Sequence, residues 1–190
     1  MKKYARITGT GSYLPTKVVT NFDLEKTLDT SDEWITARTG IKERRIVTDQ
    51  NTCDLALEAS IKALSMAELK PEDIDLIILS TTTPDKIFPA TATMLQNRLG
   101  ASCPAFDLQA VCAGFVFALT TAQQYIENGS AKNILVVGSE TMSKIVDWSD
   151  RSTAILFADG AGAVVLSADN TTGIKHSKLF SDGSYLSSLH

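Results

Sequence analysis

Histidine is almost missing from this 190-residue chain: only His176 and His190 occur, and the second is the last residue. With no CxxC, HxH or HExxH spacing, a metal site built by the protein is not expected. Cysteine is as scarce. Cys53, Cys103 and Cys112 are three unclustered thiols, an odd count that builds no disulfide framework and offers no resolving partner for thiol redox chemistry. The chain therefore reads as cytoplasmic, with reduced thiols. Long apolar runs are lacking too. None approaches the ~20 residues that span a bilayer, and the opening MKKYARITGTG is too poor in apolar residues for a signal peptide. Positive charge is not in excess: the net charge of −4 gives no reason to expect nucleic acid. A few local basic residues still suit a small anionic ligand. Gly9-Thr10-Gly11 lacks the third glycine of a dinucleotide loop, and no helical pattern follows it directly.

What is present is ordinary for a globular protein, 44% apolar and 21% charged, long enough for one sizeable core or a large part of a bigger domain. Short apolar runs alternate with helical patterns, which predicts an α/β fold with a mostly parallel sheet covered by helices. A first strand is expected over 4–11. Asn51 and Thr52 are cap-type residues with Asp54 in the first turn of a helix, and Leu57, Ile61 and Leu64 recur at i, i+4 and i+7 as its apolar positions. The continuous run 76–79 predicts a strand buried on both faces. A helix over 91–99 stops at Gly100, a short strand covers 105–108, and a further helix runs from just after Cys112 to Asn128, stopped by Gly129. Another buried strand is expected over 134–137. Asp159-Gly160 has the composition of a turn joining 155–158 to 163–166 as an antiparallel pair.

Cys112 follows a predicted strand and opens a helix, where unpaired N–H groups and the helix dipole favour a thiolate. Gly114 is expected to leave room beside the sulfur. The alternative is a structural role, since a cysteine among Ala, Val and Phe also behaves as a small buried hydrophobe; Cys53 and Cys103 take that reading. The stretch Phe115-Val116-Phe117-Ala118-Leu119 is apolar all round, as in a helix covered on every side. That cover, and a final stretch from Ser181 that closes no recognisable element, point to a unit continued elsewhere; the other reading of the end is a mobile tail.

Several blocks then carry a family resemblance: Gly9-Thr10-Gly11-Ser12-Tyr13-Leu14-Pro15, Asp32-Glu33-Trp34-Ile35, Arg38-Thr39-Gly40-Ile41, Glu43-Arg44-Arg45, Asp107-Leu108, Ala110-Val111-Cys112-Ala113-Gly114-Phe115, and Phe157-Ala158-Asp159-Gly160-Ala161-Gly162-Ala163. In this order and spacing the chain resembles the N-terminal half of the β-ketoacyl-[acyl carrier protein] synthase III family of thiolase-like condensing enzymes, over essentially all 190 residues.

The resemblance implies a thiolase-like α/β fold, half of a duplicated five-layer αβαβα architecture with a mostly parallel five-stranded sheet. It assigns 1–172 to the nucleophile-bearing half and 173–190 to the beginning of the second. Cys112 is then the nucleophile of an acyltransferase that starts type II fatty-acid synthesis. It takes an acyl group from acetyl-CoA or another short acyl-CoA, a substrate rather than a cofactor, for decarboxylative condensation with malonyl-[acyl carrier protein] to a 3-oxoacyl product. The Cys112 N–H would be one donor of an oxyanion hole. Trp34 and Arg151 match positions that sandwich the adenine of CoA, and Thr30 and Arg38 match contacts to the nucleotide and its phosphates. Without the resemblance, Trp34 reads as an amphipathic helix-surface residue and Arg38 as an ordinary surface ion pair. Phe88 matches a residue that closes the acyl pocket of a partner in a homodimer, against a phenylalanine tucked into its own core. Met142, Leu156 and Phe157 are expected to line or border the acyl pocket.

The family's catalytic histidine and asparagine lie in the second half, and His176 in Gly173-Ile174-Lys175-His176 does not match their motif; alone, these residues would support at most acylation of Cys112. Val111 replaces an alanine of the family pattern and Ser152 a glycine. Rival readings are a polyketide-starter or hydroxymethylglutaryl-CoA synthase-type condensing enzyme, or a non-catalytic half-domain binding module.

Overall fold

The computed structural model describes residues 3–188. Seven strands form: β1 (Tyr4–Tyr13), β2 (Lys17–Thr20), β3 (Glu43–Ile46), β4 (Leu76–Ser80), β5 (Ala105–Leu108), β6 (Asn133–Thr141) and β7 (Asp159–Asp169). Helices are α1 (Asn21–Leu24), α2 (Asp32–Thr39), α3 (Thr52–Ala67), α4 (Thr91–Leu99), α5 (Gly114–Glu127) and α6 (Arg151–Ala154). Five strands make one sheet in the order β1-β7-β6-β4-β5. β4 runs parallel to both β5 and β6, whereas β7 is antiparallel to β6 and to β1. Four strands thus share one direction, which is the mostly parallel sheet expected.

Side chains alternate across the pleat, so each buried strand feeds two cores. Ile77, Leu79, Leu135, Val137, Ala163 and Val165 pack with α3 and α4 on one face. Leu76, Ile78, Ile134, Val136 and Leu166 pack on the other with Ala118, Ala122 and Ile126 of α5. A third cluster, of Leu24, Leu28, Ile35, Ala154 and Ile155 with Trp34 and Trp148 against it, joins α1, α2 and α6. The antiparallel pair β2–β3, whose connection is α1 and α2, flanks this annex, which periodicity did not reveal because its elements are so short.

Two sequence expectations are corrected. The buried stripe of α3 is Leu55, Ala56, Ala59, Ser60, Ala63 and Leu64; of the expected positions Leu64 belongs to it, Leu57 is only partly buried and Ile61 is 49% exposed. The cause lies in β1. A Cβ at Gly9 would stand 2.1 Å from the Ala63 carbonyl oxygen, and one at Gly11 2.1 Å from that of Ala59, so helix and strand backbones touch and only small residues fit between them. Gly9-Thr10-Gly11 is therefore a packing device.

Asp159-Gly160 is likewise no turn: both open β7, and 155–158 is not a strand but the exit from α6. The Asp159 carboxylate is buried and accepts from the Val47 N–H (2.7 Å), the Ser143 N–H (2.8 Å) and the Ser143 hydroxyl (2.6 Å), so tertiary donors outcompete the local turn. In keeping with the all-apolar start of α5, the described residues cover only part of that helix: Val116 is 50% exposed, and Val111 just before the helix 62%. At the far end of β7, Ile174 N–H donates to Ala5 O, which lays the chain after 172 against β1. The Gly183–Ser188 stretch is a short 3-10 segment, and His190 lies outside the described residues.

Candidate active site

The parallel strands β4 and β5 and their neighbour β6 deliver their C-terminal ends to one side of the sheet, the usual location for chemistry in such sheets. After β5 the chain turns through a 3-10 segment, Val111–Ala113, into α5. Cys112 is the centre of that turn, exposed, while Cys53 and Cys103 are buried. Val111, just before it, has φ +49, the left-handed region that a β-branched residue enters only at a cost of about 1–3 kcal/mol. The strained turn aims the thiol out of the sheet edge. Gly114 does not leave room beside the sulfur as expected, because its missing side chain is the space filled by Ser80 Oγ, 2.1 Å from where a Cβ would stand.

Cys112 opens onto a cavity of about 670 Å³ lined by Leu14, Val111, Phe115, Met142 and Phe157, with the backbone of Gly160 to Gly162 and the polar groups of Thr82 and Glu140. That size and apolar character suit a small organic group held against a nucleophile. Of the residues expected at the acyl pocket, Met142 and Phe157 line this cavity. Leu156 does not: it is 49% exposed, turned away at the exit of α6. Phe88 is 82% exposed, neither in this cavity nor tucked into its own core.

Glu140 was not singled out from the sequence. It follows the buried run of β6 and crosses to the loop after β4, accepting from Thr82 N–H (2.7 Å) and the Thr83 hydroxyl (2.6 Å). An acid directly after a buried apolar strand was the signal available, since such a carboxylate requires donors nearby.

A second group of residues converges on α2. Ser31 caps this helix by accepting from Trp34 N–H at 3.1 Å, and Gly40, at φ +72, ends it. The Arg38 guanidinium stacks 4.1 Å from the Trp34 ring centroid and that of Arg151 4.6 Å. Arg38 donates to Trp34 O and, among the described residues, forms no ion pair, so the surface-pair reading fails. Arg151 donates to Asp29 O at 2.7 Å. Thr30 sits one residue beyond Asp29, and its hydroxyl is buried with no hydrogen-bond partner. Trp34, Arg38 and the sequence-distant Arg151 thus form one cationic aromatic platform, suited to a flat base and to phosphate, while the buried Thr30 hydroxyl is not presented on it.

Burial pushes the thiols of Cys53 and Cys103 up, which leaves them poor nucleophiles. No cluster of His, Cys, Asp or Glu fit for a metal ion occurs among the described residues, and no helix among them is long and apolar enough to cross a membrane.

The chain is similar to known proteins in sequence and in fold. The family model described as 3-oxoacyl-[acyl-carrier-protein] synthase III matches residues 106–183, the span from β5 through β7. A β-ketoacyl-[acyl-carrier-protein] synthase III of Vesicomyosocius okutanii is 68% identical over 189 residues, covering 100% of this chain and 60% of the relative. The crystal structure of the 3-oxoacyl-[acyl-carrier-protein] synthase III of Aquifex aeolicus is similar at TM-score 0.86 and 54% identity, over 88% of this chain and 55% of that one. The Thermus thermophilus enzyme gives TM-score 0.93 at 44% identity, over 97% and 58%. The chain spans about 60% of the length of the curated relatives it matches.

Proposed function

Because this chain belongs to the 3-oxoacyl-[acyl-carrier-protein] synthase III family, we propose that Cys112 takes the acyl group of acetyl-CoA, or of another short acyl-CoA, as a thioester. The observation that carries this reading is the exposed Cys112 thiol at a strained strand-to-helix turn, facing a large apolar cavity, while the other two thiols are buried. Its sulfur adds to the thioester carbonyl, and the carbon–sulfur bond to CoA breaks as the CoA thiolate leaves. Met142 and Phe157 exclude water from the acyl chain, and the Cys112 N–H helps hold the developing oxyanion. In the whole protein the acyl-enzyme condenses with malonyl-[acyl carrier protein], which loses carbon dioxide to supply the attacking carbanion. That second step draws on the family histidine and asparagine, which these 190 residues do not match.

The nucleotide of CoA belongs, in this reading, at Trp34. An adenine between Trp34 and Arg151 needs two contact distances, about 7 Å in all, against 4.6 Å in the direct stack. The Arg151 side chain must therefore swing aside on binding, releasing its hydrogen bond to Asp29 O while α6 stays in place. Arg38 remains at the ring to receive phosphate. Phe88 reaches a second copy in a cytoplasmic homodimer.

Intact-protein and peptide mass spectrometry after incubation with acetyl-CoA tests the proposal. One acetyl increment on Cys112, with none on Cys53 or Cys103, is expected. A protein that binds CoA, stays folded and leaves Cys112 unmodified would sink it for this chain.

A further inference from the structure

Arg44 is 3% exposed and has no carboxylate partner among the described residues. A guanidinium taken out of water without a counter-ion is a costly feature, so what its hydrogen bonds connect is informative. Nε is buried with no hydrogen-bond partner among the described residues, and one terminal nitrogen, Nη1, donates to Val19 O of β2 at 3.2 Å. The other, Nη2, donates to Asn21 Oδ1 at 2.8 Å and to Ile155 O at 3.3 Å. Ile155 is the residue that follows α6, the helix carrying Arg151. Asn21 is itself fully buried, and its amide nitrogen donates onward to Asp32 Oδ1 at 2.8 Å and Ile41 O at 2.7 Å. Asp32 opens α2, the helix carrying Trp34 and Arg38, and Ile41 follows its Gly40 cap.

Both walls of the cationic aromatic platform are therefore tied to one buried cation. One route runs Arg44–Ile155 to the Arg151 wall, and the other Arg44–Asn21–Asp32 to the Trp34 wall. The apolar contacts of the annex, Leu24, Leu28, Ile35, Ala154 and Ile155, hold these elements together but are non-directional. The fork of Arg44 supplies direction, since its planar donors fix the angle and separation of the groups they join.

We infer that Arg44 is a positioning residue for nucleotide binding, setting the spacing between the Trp34 and Arg151 walls without touching the ligand. This rests on the reading that the platform takes the nucleotide of CoA. A lysine at this position keeps the charge but has a single nitrogen, which cannot face Val19 O, Asn21 Oδ1 and Ile155 O together. Removing Arg44 should therefore loosen grip on the nucleotide end of CoA and leave the pantetheine end and the Cys112 cavity as they are.

The test is equilibrium titration of the chain and its Arg44→Lys, Asp32→Ala and Trp34→Ala variants with CoA, with adenosine 3′,5′-bisphosphate and with pantetheine. Arg44→Lys should weaken CoA and the bisphosphate about tenfold, as loss of a charged hydrogen bond implies, while pantetheine binding changes less than about twofold. Asp32→Ala, at the half-buried outer end of the relay, should show the same split with less risk to folding. An equal loss for all ligands would make Arg44 a general stabilising residue and overturn the inference, as would unchanged affinity for CoA. If instead Trp34→Ala binds the bisphosphate as the parent chain does, the nucleotide platform itself is wrong, a separate failure from that of Arg44.

Discussion

At the scale of single residues, positions that look alike in composition are separated by their partners. Val111 and Gly40 both hold left-handed backbone, yet Gly40 does so as an open helix cap and Val111 against its own branching, beside the thiol it aims. Asp159 and Asp169 bound the same strand. Asp159 is buried among donors from two other segments, whereas Asp169 makes a local turn, accepting from Thr171 N–H (2.7 Å), Thr172 N–H (2.9 Å) and the Thr171 hydroxyl (2.8 Å). The Thr171 N–H, followed by those other donors and Arg6, holds the Asp169 carboxyl well below the usual carboxylate range. A carboxylate depressed in the folded state contributes stability above its unfolded pKa, about 4, and that contribution is lost as pH falls through the folded value. Asp169→Ala should therefore melt below the parent at pH 7, and the two melting curves should converge as pH drops below about 4. A gap that stayed constant down to strong acid would contradict this assignment. The 3.3 Å Arg6 pair is exposed and adds little.

Among the elements, β1 and α3 approach backbone to backbone. Gly9 and Gly11 meet backbone, not flexible side-chain ends, so an added methyl cannot be accommodated by a rotamer change. Gly11→Ala should cost about 3 kcal/mol or more, the upper end of overpacking penalties. Gly40→Ala, at φ +72 with nothing within 4 Å, should cost only about 1 kcal/mol of backbone strain. Urea denaturation of the two variants separates these mechanisms, and equal costs would refute the close approach of β1 to α3. The same logic explains the small residues Ala59 and Ala63 of α3 facing β1, which a search for large apolar residues at helical spacing passes over. α4 shows the complementary device: the Asp107 carboxylate of β5 caps it, accepting from Thr91 N–H at 2.8 Å and Ala92 N–H at 2.7 Å, so that strand and helix are joined by one side chain.

For the whole molecule, the apolar groups left outside the three cores matter most. Ile87 and Phe88 are 95% and 82% exposed on the loop before α4, adjacent large hydrophobics with no cover in this chain. Such a pair marks a surface for association, and we expect sedimentation velocity to show a dimer that Phe88→Asp converts to monomer; a parent chain that stays monomeric at high concentration would defeat that expectation. Much of the rest was legible in the sequence. The buried strands, the helices over 91–99 and after Cys112, the caps at Gly100 and Gly129, and the mostly parallel sheet follow from period, length and glycine position, because these are local consequences of backbone geometry and burial. Cys112, Trp34 and Arg38 were singled out as candidates because they fall within family-like blocks of the sequence. The tertiary structure alone decided that Asp159-Gly160 opens a strand, that Ala59 and Ala63 of α3 face β1, that Glu140 crosses to Thr82 and Thr83, and that Arg44 links two walls far apart in the chain. Each depends on partners distant in sequence, and a residue's own neighbours carry no record of which donor, carbonyl or backbone will be folded against it.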